Sequence, residues 1–390
     1  MLQCKTKWTS KTIENCCDIL DSKRIPINEE ERDSLKGNIP YYGANGLQGY
    51  INDYIFDDDL ILLAEDGGYF DEYETRPIAY KISGKSWVNN HAHILKPKNS
   101  YNFNYVFYNL EHKNILYYIN GGTRAKLTQE ELKKIRINII DDYDMQSKIA
   151  DILSTCDEVI EKTEETIEKY KQIKAGMMQD LFNRGLDSNG KLRPTYTQAP
   201  GLYKYSKLLD RYIPTEWDVK RLDEIATILS GKDYKGNPKG NCNIPIYGTG
   251  GIMGYTTIPL YSGPAVLTGR KGSINTPYYV EGDFWNVDTI FCLKMLDDND
   301  ALWFYYQIYI TDMTKYNEAT GVPSTTSKTL NKILFAVPKS PEQIKIANSI
   351  IKFDKKIKVE EQYLNKYKQI KQGLMKRLLT PPADAEIVEE

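Results

Sequence analysis

The six residues Lys169-Tyr-Lys-Gln-Ile-Lys174 return letter for letter at Lys366 to Lys371. The match runs without a gap from 144–182 onto 341–379, an offset of 197, with 16 identities in 39 positions. Gln146/Gln343, Ile149/Ile346, Ala150/Ala347, Asp157/Asp354, Gly176/Gly373 and Met178/Met375 are among them. Both copies carry helical apolar spacing. In the second, Ile346, Ile350, Phe353, Ile357, Leu364, Tyr367, Leu374 and Leu378 follow the alternating 4,3 seam of a coiled coil, interrupted by the polar Glu360 and Lys371. In the first, the stripe is Ile149, Ile152, Cys156, Ile160, Thr163, Ile167, Tyr170, Ile173, Met177 and Leu181. A chain that repeats a long helix in this way is a two-fold object built from one polypeptide, suited to two-fold partners.

The regions ahead of the helices repeat as well. Residues 39–68 align on 244–273 at offset 205, sharing Ile39, Pro40, Tyr42, Gly43, Gly46, Gly49, Tyr50, Leu62 and Gly67 with their counterparts. Trp8 and Ile13 match Trp217 and Leu222, and Leu132-Lys-Lys-Ile135 matches Leu330-Asn-Lys-Ile333. Each half is therefore a globular module followed by a long helix. The expected fold is mixed helix and sheet (α+β). It has two modules, 1–143 and 217–340, and two helical spacers, 144–185 and 341–380. The segment 186–216 is polar and punctuated by Gly and Pro, and reads as a linker. The acidic end, 381–390, is expected to be disordered.

Helices of 35–40 residues reach about 50–60 Å, too long for one small module to cover, so they should pair with each other, antiparallel. Their charges favour this: 144–185 is net −3 and 341–380 is net +6. Ile160, Ile167, Tyr170 and Ile173 on one helix, with Ile357, Leu364, Tyr367 and Ile370 on the other, are the expected pairing and partner-binding residues. Inside each module, Leu60–Ala64 and Ala265–Thr268 read as buried strands. The glycines at 43, 46 and 49, and at 248, 250, 251 and 254, read as hairpins, and Tyr105–Tyr118 and Ala301–Ile310 as helices.

Several function classes fall away. No apolar run approaches the length of a membrane span, and no apolar leader follows a basic start. Six cysteines without paired spacing fit a reduced, cytoplasmic protein. There is no [DN]-P-P-[FYW] methyltransferase motif. Gly84-Lys85-Ser86 resembles the end of a phosphate loop, but Ala79 stands where its first glycine belongs. Asp218-Val-Lys220 is half of a nuclease motif and reads as structural. His91 and His93 have no cysteine pair nearby, so no metal site is expected. The 30 tyrosines suit surfaces that meet DNA backbone or protein, although an AT-rich source would also supply them.

Taken together, the chain resembles the specificity (S) subunit of type I restriction–modification systems along essentially its whole length. The carriers are the duplicated module-plus-helix order, the Trp-then-Leu/Ile opening, the YGxxG…GY element, the loop ahead of L-x-K-I, and the Q-x-K-I-A helix start. The resemblance implies that each module reads one half of a split site in double-stranded DNA, while the helices set the gap and dock two methyltransferase subunits. It implies no cofactor in this chain. S-adenosylmethionine, Mg and ATP belong to the methyltransferase and restriction partners, and this subunit is not itself an enzyme. The alternatives are the recognition part of a single-chain restriction enzyme, and a coiled-coil scaffold with no DNA role.

Readout requires side chains that reach base edges above a set of phosphate contacts. The candidates lie in loops that differ between modules. Arg124 and Lys126 follow a glycine pair in module one, and Ser324, Thr325 and Lys328 occupy the counterpart loop. Arg270 and Lys271 form a cationic loop whose counterpart, Glu65-Asp66, is acidic and could accept from cytosine N4. Asn45 and Arg76 complete the set.

Overall fold

The computed structural model describes residues 7–121, 125–236, 243–383, 385 and 387–389. The chain divides into two compact units, 1–164 with 362–390, and 165–361. Each unit thus takes in one module and a stretch of both long helices, a division that differs from the module-and-spacer boundaries expected above.

In the first unit, one four-stranded sheet has the order Cys17–Ile19, Ala92–Pro97, Leu60–Ala64, Ala79–Ile82. A second has the order Gly46–Ile51, Lys36–Gly43, Lys85–Val88, Phe56–Asp57. The run LILLA is apolar throughout because it is a central strand with every residue buried. The second unit repeats both sheets: Ala226–Ser230, Ile290–Met295, Ala265–Gly269, Tyr278–Val280, and Gly251–Thr256, Ile244–Gly248, Asp283–Asn286, Tyr261–Ser262. The glycine-rich segments are the hairpins of the second sheets. Gly46 and Gly251 turn them at φ 106° and 104°, where a side chain would be strained.

Four helices matter here: α1 (Phe103–Glu111), α2 (Tyr143–Arg184), α3 (Ala301–Ile310) and α4 (Ser340–Leu378). Helix α1 is shorter than the sequence suggests. It stops at His112, and the chain then turns through Asn114, whose side chain accepts from the Leu116 N–H. The start of each long helix is latched by its glutamine. Gln146 accepts from the Asn102 N–H and donates to Ile140 O. Gln343 accepts from the Asp300 N–H and donates to Pro338 O. Asn102 and Asp300 are themselves the N-caps of α1 and α3. One buried amide therefore ties a module's own helix to the long helix, in both units.

Two polar segments are more ordered than their composition suggests. Within 381–390, Ile387–Glu389 forms a parallel strand on Trp8–Thr12, so the expected disorder of the tail does not hold there. The segment 186–216 is not a free linker. It forms the hairpin Tyr203–Ser206/Arg211–Pro214 and buries Leu186 and Ile213 in the core of the second unit. Its Arg193 donates to Glu342 at 2.5 Å and to Glu216 at 2.7 Å, and Glu342 also accepts from the Trp217 indole. Gly185 ends α2 at φ 63°, its N–H donating to Leu181 O. A Cβ there would strike Glu342 Oε1 and the Trp217 ring at 2.1 and 2.5 Å.

Candidate nucleic-acid interface

Loops far apart in sequence meet in each module, in one geometry. In the second unit, the loop after strand Ala265–Gly269 pairs with the segment ahead of Ser327. The Thr325 N–H donates to Arg270 O at 2.9 Å, the Gly272 N–H to Pro323 O at 2.8 Å, and Lys271 bridges to Ser324. In the first unit, the Leu127 N–H donates to Glu65 O at 2.8 Å, and Asp66 bridges to Lys126. The sequence candidates that looked separate, Arg270–Lys271 with Ser324–Lys328 and Glu65–Asp66 with Lys126, are therefore each two sides of one loop frame.

The side chains on that frame differ. In the second unit Arg270, Lys271 and Lys328 are exposed, and Ser324 is half-buried. The Arg270 guanidinium lies over the Phe291 ring at 5.7 Å and donates to Asp288 O. Thr325 is the exception: it is 3% exposed and its hydroxyl is enclosed, so it supports the frame and cannot reach DNA. In the first unit the acidic loop is engaged by the protein's own side chains. Glu65 is held by Arg24 at 2.6 Å and Lys126 at 3.1 Å, and Asp66 by His91 at 2.7 Å. The cation of Lys126 is thus partly committed to Glu65, and Glu65 is not poised as a free acceptor for cytosine. Asn45 joins the same frame by donating from its amide to Gly67 O. Arg76 pairs with Glu72 and stacks on Tyr69 at 4.0 Å, half exposed. Arg124 lies outside the described residues.

Behind this loop, His93 is buried between Asp21 Oδ2 at 2.6 Å and Leu127 O at 2.8 Å. Asp21, Glu65 and His93 bring their polar atoms within 4.8 Å of one another, a spacing that would suit a metal. Both nitrogens of His93 are already engaged, however, and Arg24, Lys126 and Gln129 supply the positive charge and donors. The cluster is an ion-pair network that fixes the loop. Burial would raise the Asp21 carboxyl, but His93, the Ile94 N–H and Arg24 together hold it below the usual carboxylate range. Sequence reasoning missed this network, because Asp21, Arg24 and Gln129 have no motif around them.

Within each unit the long-helix segments run antiparallel. In the first, Glu164 pairs with Lys368 at 2.7 Å and Asp157 with Lys371 at 2.6 Å. In the second, Lys171 pairs with Glu361 at 3.8 Å, Lys174 with Asp354 at 2.5 Å, and Tyr170 meets Phe353 edge-on at 6.3 Å. Ile167 and Ile357 are buried, and Ile160, Tyr170, Leu364 and Tyr367 are half-buried. Ile173 and Ile370 do not fit the pairing expectation. They are 43% and 44% exposed, on the outer side of their helices. No described helix is long and apolar enough to cross a membrane.

Comparison with known proteins agrees with this architecture. The family model of the type I restriction modification DNA specificity domain matches residues 5–172 and 214–369. A chain named as a type I restriction enzyme specificity subunit in Haemophilus influenzae is 34% identical over 149 residues, 38% of this chain and 37% of that one. The chain thus spans little more than a third of that relative. One named as the MjaX specificity subunit in Methanocaldococcus jannaschii is 27% identical over 74% of this chain and 70% of its own length. The crystal structure of a type I restriction–modification S subunit from M. genitalium superimposes with a TM-score of 0.69, covering 98% of this chain and 99% of that one at 19% identity. With both modules and most of both helices matched by the family, the chain belongs to the type I restriction–modification DNA specificity domain family, as a specificity subunit.

Proposed function

We propose that this chain reads a two-part DNA word, each module supplying one half, for partner subunits that methylate and cut. The observation that carries this reading is the loop frame, built twice on an equivalent backbone bond and an equivalent bridge and loaded with different side chains. A scaffold without a DNA role has no use for that divergence. Arg270, Lys271, Lys328 and Ser324 are the reading and phosphate-binding set of module two. Lys126, Asn45, Arg76 and Arg124 are the set of module one. The chain supplies address and the partners supply chemistry, with S-adenosylmethionine, Mg and ATP on their side.

Docking of two methyltransferase copies fits the outer surface of the repeated hexapeptide. Ile173 and Ile370 are equally exposed, and Gly176 and Gly373 follow each in a helix with nothing near the place of a Cβ. Glycine in a helix interior costs roughly 1 kcal/mol relative to alanine, so keeping it twice calls for a close approach from outside the chain. The test is to express the chain with its methyltransferase partner and map methylated adenine across a genome. A split word with two defined halves is expected. Arg270→Ala with Lys271→Ala should lower methylation at that word about tenfold or relax one half only. Relaxation of both halves together would reject independent reading by the two modules.

A further inference from the structure

One polar node occurs in both units at equivalent positions. In the first, the Tyr108 hydroxyl donates to Asp157 Oδ2 at 2.6 Å, and Lys371 donates to Asp157 at 2.6 Å and to Glu111 at 2.8 Å. In the second, the Tyr306 hydroxyl donates to Asp354 Oδ2 at 2.5 Å, and Lys174 donates to Asp354 at 2.5 Å. The tyrosine comes from a module (α1 or α3), the aspartate from the long helix that follows that module, and the lysine from the other long helix. The lysine also lies over the tyrosine ring, at 5.3 Å in one unit and 5.5 Å in the other. Lys371 and Lys174 are 11% and 13% exposed at the side chain, so neither is a solvated surface pair.

We infer that these two Tyr–Asp–Lys nodes set the axial register of the helix pair, and through it the gap tolerated between the two halves of the DNA word. The second part rests on the two-part reading proposed above. The apolar seam cannot set register alone, because it repeats Ile, Leu and Tyr at heptad spacing. A slip of seven residues still places apolar on apolar. The same slip would leave a largely buried lysine without its carboxylate and without the tyrosine ring it lies over, in both units at once. The step from aspartate to lysine is the same on each helix, from 157 to 174 and from 354 to 371, so both nodes close in one register only. This accounts for a lysine interrupting the seam at 371 and for its twin at 174. Tyr108, Asp157, Lys371 and their counterparts are positioning residues and need not touch DNA.

The test uses the full chain in complex with its methyltransferase partner. In the parent, Tyr170→Cys with Phe353→Cys should cross-link, and Tyr170→Cys with Glu360→Cys, one heptad away, should not. In Lys174→Met/Lys371→Met, which keeps the stem volume, the slipped pair should cross-link at a yield raised at least about tenfold. Methylation of the same two halves at gaps other than the parental one should rise by a similar factor. Tyr108→Phe/Tyr306→Phe should act in the same direction, more weakly, and Lys174→Arg/Lys371→Arg should restore the parental pattern. Retention of the native cross-link alone in the Met and Phe variants overturns the register role. Slipped cross-links with an unchanged gap overturn the link to spacing. A parental chain that methylates no split word rejects the two-part reading instead, while the cross-link arm still decides the register role.

Discussion

Tyr108 and Tyr306 have hydroxyls driven well above the ordinary tyrosine range, first by burial and then by the carboxylates they donate to. Burial alone would lower the Lys371 ammonium, but Glu111 and Asp157 outweigh it and hold it above the usual lysine value. For all three groups the folded form keeps its proton more tightly than the unfolded chain. The stabilisation is therefore fully present below the unfolded values, about 10 for tyrosine and 10.4 for lysine, and is lost as pH rises beyond them. Thermal stability should be flat across neutral pH and fall above about pH 10, and the loss should shrink in Tyr108→Phe/Lys371→Met. Unfolding midpoints measured against pH check this. An equally steep alkaline loss in the variant would place its origin elsewhere. Asp21 behaves oppositely. Its contribution is present above the unfolded carboxylate value and lost as pH falls below about 4. Because His93 and Arg24 depend on it in a buried setting, Asp21→Asn should cost the first unit about 3 kcal/mol, read by chemical denaturation at neutral pH.

At the scale of elements, the ends of the long helices are set by single residues that the repeat made visible. Gln146 and Gln343 stood out as identities, and the structure gives both the same reason, a latch to the N-cap of the module's own helix. Gln146→Ala and Gln343→Ala should each cost about 1–3 kcal/mol, since a buried N–H and a buried carbonyl lose their partner. Gly176 and Gly373 were equally visible, but nothing inside the chain explains them. Gly176→Ala with Gly373→Ala should stabilise the isolated chain by about 1 kcal/mol per site and yet weaken capture of the methyltransferase partner. Stabilisation with undiminished capture would remove the docking role of that surface. Apolar runs also translated well: LILLA is the buried strand it resembled, and Ala265–Thr268 lies within one that runs a residue further, to Gly269. What the sequence hid is what long-range geometry creates. Arg24 lies 41 residues from Glu65 and Lys371 lies 260 from Glu111, and no periodicity links such partners. Ile173 fell on a seam by spacing alone, but an antiparallel pair buries a narrower stripe than one helix's own pattern suggests. The order in 186–216 and at 387–389 was hidden for a related reason. These polar segments gain their structure from partners already folded, Trp217 and Glu342 in one case and the strand Trp8–Thr12 in the other.

For the whole molecule, charge decides how DNA can be held. The chain is net −2, and in the acidic loop of module one Glu65 is paired with the chain's own Arg24 and Lys126. That leaves a cationic frame in module two and little surplus in module one. Affinity for duplex DNA falls with salt at a logarithmic slope of about −0.9 per phosphate neutralised, so few free cations mean a shallow slope and weak binding. The isolated chain should therefore bind its DNA weakly and with little salt dependence. Most phosphate neutralisation would come from the partner subunits once they assemble. Adding the methyltransferase partner should steepen the slope by several units, and Arg270→Ala should then reduce it by about one. The measurement is the DNA dissociation constant across a salt series, for the chain alone and for the complex. A complex no steeper than its isolated specificity subunit would mean that this chain supplies the phosphate contacts itself, and the division of labour would have to be redrawn around the frame of module two.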